Sequence, residues 1–306
     1  MSDTLGSVGE AGVLARIFPR LPQSASTVLG PGDDAAVIAA PDGRFVVTTD
    51  MMIHGPDFRL AWSTPFDLGW KAAASNLSDV AAMGAVPTAL VVALAAPPQT
   101  EVAFLEAFAD GLREACLHLS PGCGVVGGDL SVSDTLTIAV TAFGDLEGRA
   151  PVTRSGAQVG DVVAVAGVLG QAAAGLRMLF EQGAESTPQR GGPEIEAQLQ
   201  PRPPIAAGRI AALAGATSMI DLSDGLALDA ARVAAASGVA LDLAGLTEIE
   251  LEGGEDHSLL ATFTGEVPDG FRVIGAVVAG VGVLVDGRPY EPSGWDPFTG
   301  WDGAAG

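Results

Sequence analysis

The chain has 306 residues, 48% of them hydrophobic, enough for two ordinary domains around a substantial core. Its formal net charge of −22, with only 15 Lys and Arg, argues against a surface built for nucleic acid or anionic lipid. Lys71 is the sole lysine, and abundant Ala and Gly point to genomic composition rather than salt adaptation as the cause. No apolar run approaches the ~20 residues of a membrane span. The N-terminal residues lack the basic-then-apolar pattern of a signal peptide. Two cysteines make no disulfide framework, so a reducing cytoplasm is the expected location.

Residues 12–20 read as a short helix. Residues 45–49 read as a strand ending at Asp50, with Thr48 and Asp50 on one face and Thr49 on the other. A helix is expected over 67–83, from apolar Leu68, Ala72, Leu77 and Val80 and a stop at Gly84. Lys71, Ser75 and Asp79 step by four along a separate, polar face of it. A strand (88–95), a helix (101–119), a short strand (124–127) leading to Asp129, and a strand (135–143) follow.

Glycines and arginines over 144–160 place a domain boundary near 150, dividing the chain into 1–150 and 151–306. The second half restarts with a strand (161–166) and a helix (171–180). Residues 182–204, rich in Gly, Pro and Gln, read as an exposed loop. A helix (205–214), a strand (218–221) and a helix (226–237) come next, then strands at 239–243, 258–263, 271–278 and 281–285. The order is mixed α/β rather than strictly βαβ.

Familiar nucleotide motifs are missing. Lys71 follows Trp70 and precedes Ala72, so there is no phosphate-binding P-loop, and no protein-kinase catalytic loop is present. Gly122, Gly124 and Gly127 match the dinucleotide spacing, but a helix precedes them and a strand runs through them. Cys116, His118 and Cys123 supply too few ligands for structural zinc and read as core cysteines beside a surface histidine. Ser63, Ser131 and Ser223 have no recognisable histidine partner.

What recurs is carboxylate beside glycine or hydroxyl at the ends of apolar segments. The stations are Gly32-Asp33-Asp34, Thr48-Thr49-Asp50, Asn76-Leu77-Ser78-Asp79, Gly127-Gly128-Asp129 and Asp221-Leu222-Ser223-Asp224-Gly225. One such Asp is an ordinary turn or cap residue. Several brought together by a fold make a hard-oxygen cage suited to Mg²⁺ and, through it, nucleotide phosphates. Arg154-Ser155-Gly156 adds a fork of phosphate donors. An acidic protein that handles a polyanion needs several divalent ions between the like charges.

These stations, in this order, resemble the thiamine-monophosphate kinases, in the superfamily that includes aminoimidazole ribonucleotide synthetase. The block Lys71 to Ala85, which contains Asn76-Leu77-Ser78-Asp79, is the most specific. Thr153 to Ala157, Gly253-Gly254-Glu255-Asp256 and Gly294-Trp295-Asp296-Pro297-Phe298 extend the likeness over nearly the whole chain. The resemblance implies ATP-dependent phosphorylation of thiamine monophosphate to thiamine diphosphate, assisted by several Mg²⁺ ions. It implies an N-terminal α/β domain whose sheet pairs across a homodimer, with a C-terminal α/β domain packed against it.

Carried over by position, Asp34, Thr48, Thr49, Asp50, Asp79, Asp129, Asp221 and Asp224 resemble metal ligands. Gly128, Asp129, Arg154 and Ser223 resemble ATP contacts, and Glu255 and Phe298 substrate contacts. Asp50, Asp129 and Arg154 are the expected catalytic group. The acceptor phosphate is already largely ionised near neutrality, so no general base is needed.

This chain departs from the family in three places. Asp57-Phe58 stands where the family has His-Phe, so Asp57 is expected on the substrate side. His257-Ser258 replaces Tyr-Glu, and the stretch from Asp242 to Gly253 is short. The alternatives are a related enzyme with another acceptor, or a nucleotide or metal sensor without turnover. Selenophosphate synthetases and hydrogenase-maturation proteins would need a reactive cysteine near one terminus, which Cys116 and Cys123 do not supply.

Overall fold

A computed structural model describes residues 3–29, 37–182 and 191–293. The expectations for Asp34 and Phe298 lie outside the described residues. The first elements are α1 (Leu5–Val8), α2 (Glu10–Ile17), β1 (Thr27–Leu29), β2 (Val37–Ile38), β3 (Val46–Ile53), α3 (Pro65–Ala82), β4 (Val86–Ala96), α4 (Val102–Leu119), β5 (Gly124–Val132) and β6 (Thr137–Asp145). They are followed by β7 (Val162–Ala166), α5 (Gln171–Gln182), α6 (Pro193–Leu199), α7 (Ile205–Leu213), β8 (Ser218–Leu222) and α8 (Leu226–Ser237). The last are β9 (Ala240–Leu243), α9 (Glu248–Glu252), β10 (Ser258–Phe263), β11 (Arg272–Val278), β12 (Gly282–Val285) and β13 (Arg288–Tyr290). The class is the expected mixed α/β.

Two larger sheets carry the architecture. The first runs β3-β6-β4-β5, and the second runs β13-β12-β9-β11-β7-β10-β8. In β6, buried and half-exposed residues alternate strictly, as a sheet covered on one face requires. Helices α3 and α4 cover one face. The other face carries Phe45, Val47 and Met51, each more than half exposed.

Helix α3 is the spine of the molecule. Thr64 caps it with a reciprocal capping box to Asp67, and Pro65 occupies the first turn, so its start is strongly fixed. Its apolar positions Leu68, Leu77 and Val80 are fully buried. Gly69 and Gly111 let α3 and α4 touch backbone to backbone: a Cβ on Gly69 would lie 2.1 Å from the Phe108 carbonyl. The polar face is buried too, with Lys71, Ser75, Asn76 and Ser78 all under 9% exposed. That face packs against β8 and β10 of the second sheet. Ser78 Oγ donates to the His257 carbonyl at 3.1 Å, tying the helix to that sheet. One continuous apolar cluster accordingly joins Leu77 and Val80 to Met219, Leu259 and Phe263.

The structure adds β1, β2, α9 and β13 to the elements expected from sequence and moves others. Strand β3 continues three residues past Asp50, and β5 runs through Asp129 instead of stopping before it. Within the stretch read as loop, α6 forms and buries Ile195 and Leu199 against Leu179 and Trp62. A helix of 7 residues, about two turns, with two large apolar residues leaves too short a period to read among so much Gly, Pro and Gln. Cys116 and Cys123 are free and buried, and His118 is exposed. Among the described residues, no helix is long and apolar enough to cross a membrane.

Candidate functional site

Carboxylates from both sheets meet at the C-terminal half of α3. Asp50 comes from β3, Asp79 from α3, and Asp221 from the end of β8. Strand alternation turns Thr48 and Asp50 to the helix side: Thr48 Oγ1 donates to Asp79 Oδ2 at 2.8 Å, and the Asp50 amide donates to Asn76 Oδ1 at 3.2 Å. Thr49 stands on the opposite face, where its hydroxyl donates to the Val140 carbonyl at 3.0 Å. The structure therefore does not bring the Thr49 hydroxyl to the acidic side.

The electrostatics of the group are unfavourable as it stands. Burial, then the charges of Asp221 and Asp50, push the Asp79 carboxyl up to about 7. Burial also raises Asp50, with Asp221, Glu255 and Asp224 adding to the effect. His257, buried, sets Nδ1 3.5 Å from Asp221 Oδ2, too long for a good hydrogen bond but close enough for an ion pair. Burial works against its charge, yet Asp221 and Glu255 raise its pKa overall.

Asp224, at the entry to α8, is engaged differently. Arg232 NH2 reaches its Oδ2 at 2.6 Å and also pairs with Asp229 one turn into the helix. The intervening Gly225 is required, since its φ is +118° and a Cβ would lie 2.8 Å from the Glu252 carbonyl.

The segment 253–257 closes the site. The Glu255 amide donates to the Ser223 carbonyl at 2.8 Å and the His257 amide to the Leu222 carbonyl at 3.0 Å, extending the β8–β10 ladder. Glu255 and His257 both adopt positive φ, +71° and +51°, a strained backbone of the kind that clusters at functional sites. Glu255 forms an ion pair with buried Lys71, whose Nζ also donates to the Gln198 carbonyl at 3.3 Å. Burial pushes the Glu255 carboxyl up, but Lys71 and then His257 hold it below its ordinary range.

Beyond Glu255 lies a cavity of about 280 Å³, reached from the turn after β3, the start of α3, α5 and α6. Asp57, Lys71 and Glu255 form its polar end. Asp57 also accepts the Ile53 amide at 2.7 Å and so holds its own turn.

Two expected partners are placed elsewhere. Asp50 lies on the cross-strand row Asp50–Val140–Val92–Gly128, so β3 and β5 are the two edges of the sheet with two strands between. Three strand spacings put about 14 Å between those ends. Gly128 is on the helix side with buried Val92, and Asp129 falls on the open face beside exposed Ala93. Arg154 is exposed, and its carbonyl accepts from Ser237 Oγ at the far end of α8. Twelve helical residues, about 18 Å of axis, separate that end from Asp224. Ser223, half-buried, stands next to Asp224. Sequence reasoning did not single out Arg232. Its i, i+3 spacing to Asp229 was the available signal.

The donor set fits magnesium. Among the described residues, no three His, Cys, Asp or Glu converge on one metal point. Mg²⁺ takes one or two carboxylates per ion and fills its octahedron with water and phosphate, so spread, oxygen-only donors suit it better than zinc. Asp224 is already paired with Arg232, but Asp50, Asp79 and Asp221 have only His257 among them and lack positive charge, which a divalent ion would supply.

Comparison with known proteins gives the family. Residues 32–146 match the family model for the AIR synthase related protein, N-terminal domain. The chain is 44% identical over 98% of its length to a thiamine-monophosphate kinase of Mycobacterium tuberculosis, covering 93% of that protein. It is 39% identical over 96% of its length to the Corynebacterium glutamicum enzyme, covering 95% of it.

The chain belongs to the thiamine-monophosphate kinase family.

Solved structures of that family share the fold. The thiamine-monophosphate kinase of Stenotrophomonas maltophilia K279a superposes with a TM-score of 0.76 at 32% identity, covering 90% of this chain and 95% of that one. AaThiL, solved as a complex with AMPPCP and TMP, gives 0.75 at 32% identity, covering 94% and 96%. A hydrogenase maturation protein from E. coli shares the fold at 18% identity with a TM-score of 0.73.

Proposed function

We propose that this member of the thiamine-monophosphate kinase family transfers the γ-phosphoryl group of ATP directly to the phosphate of thiamine monophosphate. The observation that carries the reading is the cation-deficient group of Asp50, Asp79 and Asp221 beside an organic-sized cavity, in a relative, matched over nearly its whole length, of enzymes so named. Asp50, Asp79, Asp221 and Asp224 would hold magnesium ions, with Thr48 orienting Asp79. Bound magnesium supplies the charge that lets two polyanions approach one another.

The protein's own groups do the positioning. Asn76 fixes the Asp50 main chain, and α3 carries both Asp79 and Lys71, so the metal side and the acceptor side share one rigid element. Glu255, paired with Lys71, lies between the acidic group and the cavity. No base is required, because the acceptor oxygen is already anionic. Gly128, Asp129, Arg154 and Ser223 are assigned to the nucleotide by the family resemblance, and Asp34 and Phe298 complete the metal and substrate sides on the same ground. Residues 1–150 then supply most of the metal donors, and 151–306 close the site.

The same reading gives a homodimer. The open face of the first sheet, with Phe45, Val47 and Met51 exposed, is the surface offered to a second copy, and Asp129 lies on it. Light scattering on Val47→Lys/Met51→Glu should then find monomers. An unchanged dimer would reject that face.

ADP release with Mg²⁺, measured with and without thiamine monophosphate, tests the activity. Release independent of the acceptor would sink the assignment and favour a nucleotide sensor. An ATP made chiral at the γ-phosphate should give inverted product, and retention would reject direct transfer.

A further inference from the structure

Asp224 is held unlike the other carboxylates of the acidic group. It stands in the turn between β8 and α8, yet its main chain and its side chain are both tied to one residue of the helix. The Asp224 amide donates to Asp229 Oδ2 at 3.2 Å. Its Oδ2 accepts from Arg232 NH2 at 2.6 Å, and Arg232 NH1 donates to Asp229 Oδ1. Asp229 is fully buried. Burial drives its carboxyl up to about 7, with the Arg232 guanidinium opposing the rise. The anchor of the turn is thus a carboxylate locked inside the protein.

The guanidinium suits this task. It is a flat, rigid fork, and one N–H to each carboxylate fixes how the two stand relative to one another. The contact occupies Oδ2 of Asp224, while Oδ1 makes no hydrogen bond among the described residues. Asp224 acts on the acidic group across the join between the sheets, since its charge raises the Asp50 carboxyl. Arg232 does not line the cavity beyond Glu255, so the acceptor has no direct use for it. A carboxylate already fixed by hydrogen bonds holds a metal better than one that must be ordered on binding.

We infer that Arg232 is a positioning residue for Asp224: anchored on Asp229, it holds the Asp224 carboxylate by Oδ2 and leaves Oδ1 for a divalent ion. The inference rests on the magnesium role proposed above for Asp224. A guanidinium beside a metal ligand also has a contrary effect, because its charge repels an incoming cation. Orientation and charge therefore give opposite signs when Arg232 is removed. A role in folding alone gives neither.

Arg232→Met removes the fork and keeps an apolar stem. Mn²⁺, which takes the same oxygen donors as Mg²⁺, reads the site without turnover when it is counted by electron paramagnetic resonance on the nucleotide-free protein, with Mg²⁺ as competitor. Affinity for both ions should fall about 10-fold or more. The Mg²⁺ concentration for half-maximal turnover should rise by a similar factor, with acceptor KM within about twofold. In an Asp224→Asn background the same substitution should cost nothing further, because the carboxylate it orients is gone, and an equal loss there overturns the inference. Tighter ion binding by Arg232→Met also overturns it and makes the guanidinium a repelling charge. Unchanged affinity, with or without a lower Tm, overturns it too and leaves Arg232 a folding contact. All three results leave the proposed function standing. If wild type binds no Mn²⁺, the magnesium role falls and takes the inference with it. Should Arg232→Met fail to fold because Asp229 is left buried and unpaired, Asp229→Asn/Arg232→Met decides. It removes both charges, and the asparagine keeps an acceptor for the Asp224 amide. Weaker Mn²⁺ binding by that variant supports the inference, and equal or tighter binding rejects it.

Discussion

The two ends of α3 handle buried charge in opposite ways. At Lys71 the only ammonium side chain of the protein is matched by Glu255 and a carbonyl, and that carboxyl is held in its charged form. Eight residues on, about 12 Å along the same axis, Asp79 faces Asp50 and Asp221 with no cation beyond His257 among the groups that shift it, and is driven up to about 7. A balanced pair can be kept dry and used to shape a cavity. An unbalanced acidic group is stable only if something positive is meant to arrive. Under the proposed function, the difference separates a place for an organic body from a place for metal and phosphate, on one rigid helix.

The sharpest way to break the comparison is Asp50→Asn. Turnover should fall at least about 10³-fold, equivalent to about 4 kcal/mol of transition-state stabilisation, with the circular dichroism spectrum unchanged. Full activity would remove Asp50 from the metal set. Lys71→Met attacks the balanced end. It leaves Glu255 with no cation and should cost about 2 kcal/mol, below the 3–5 of a fully buried pair because Glu255 is partly exposed, together with a 10- to 100-fold rise in acceptor KM. Adding Glu255→Gln should return the stability but not the KM, and a double variant no more stable than the single one would show the pair to be inert. Asp79→Asn should act with the opposite sign on the metal-free protein. Relief of like charge should raise Tm by about 2–4 °C, roughly 1 kcal/mol, and abolish the further rise that Mg²⁺ gives wild type. A lowered Tm would mean that the acidic end is not strained. Ser78→Ala, between the ends, removes one bond to the His257 carbonyl and should cost about 1 kcal/mol in urea unfolding, with both KM values within twofold. A large KM change there would make the two ends one coupled unit.

Particular residues show where the sequence was readable. The α3 stripe of Lys71, Ser75 and Asp79 was legible because a helix repeats every 3.6 residues, and the split between Thr48/Asp50 and Thr49 because a strand alternates. Asp129 was not. A register shift between Leu90/Val91 and Val125/Gly127 resets the alternation of β5, and one residue of shift moves a side chain to the other face. The α6 turn was lost in a Gly- and Pro-rich stretch, although it supplies part of the cavity wall.

The sequence by itself determined the family, the mixed α/β class, and where carboxylates recur beside glycine and hydroxyl, because local periodicity and motif order are carried by neighbours along the chain. Only the tertiary structure decided that the polar face of α3 is buried against a second sheet, that Asp224 is held by Arg232, and that Trp62 and Glu255 line one cavity. Those facts depend on which distant segments pack together. Packing and burial, unlike periodicity, set the charge balance at each point in space.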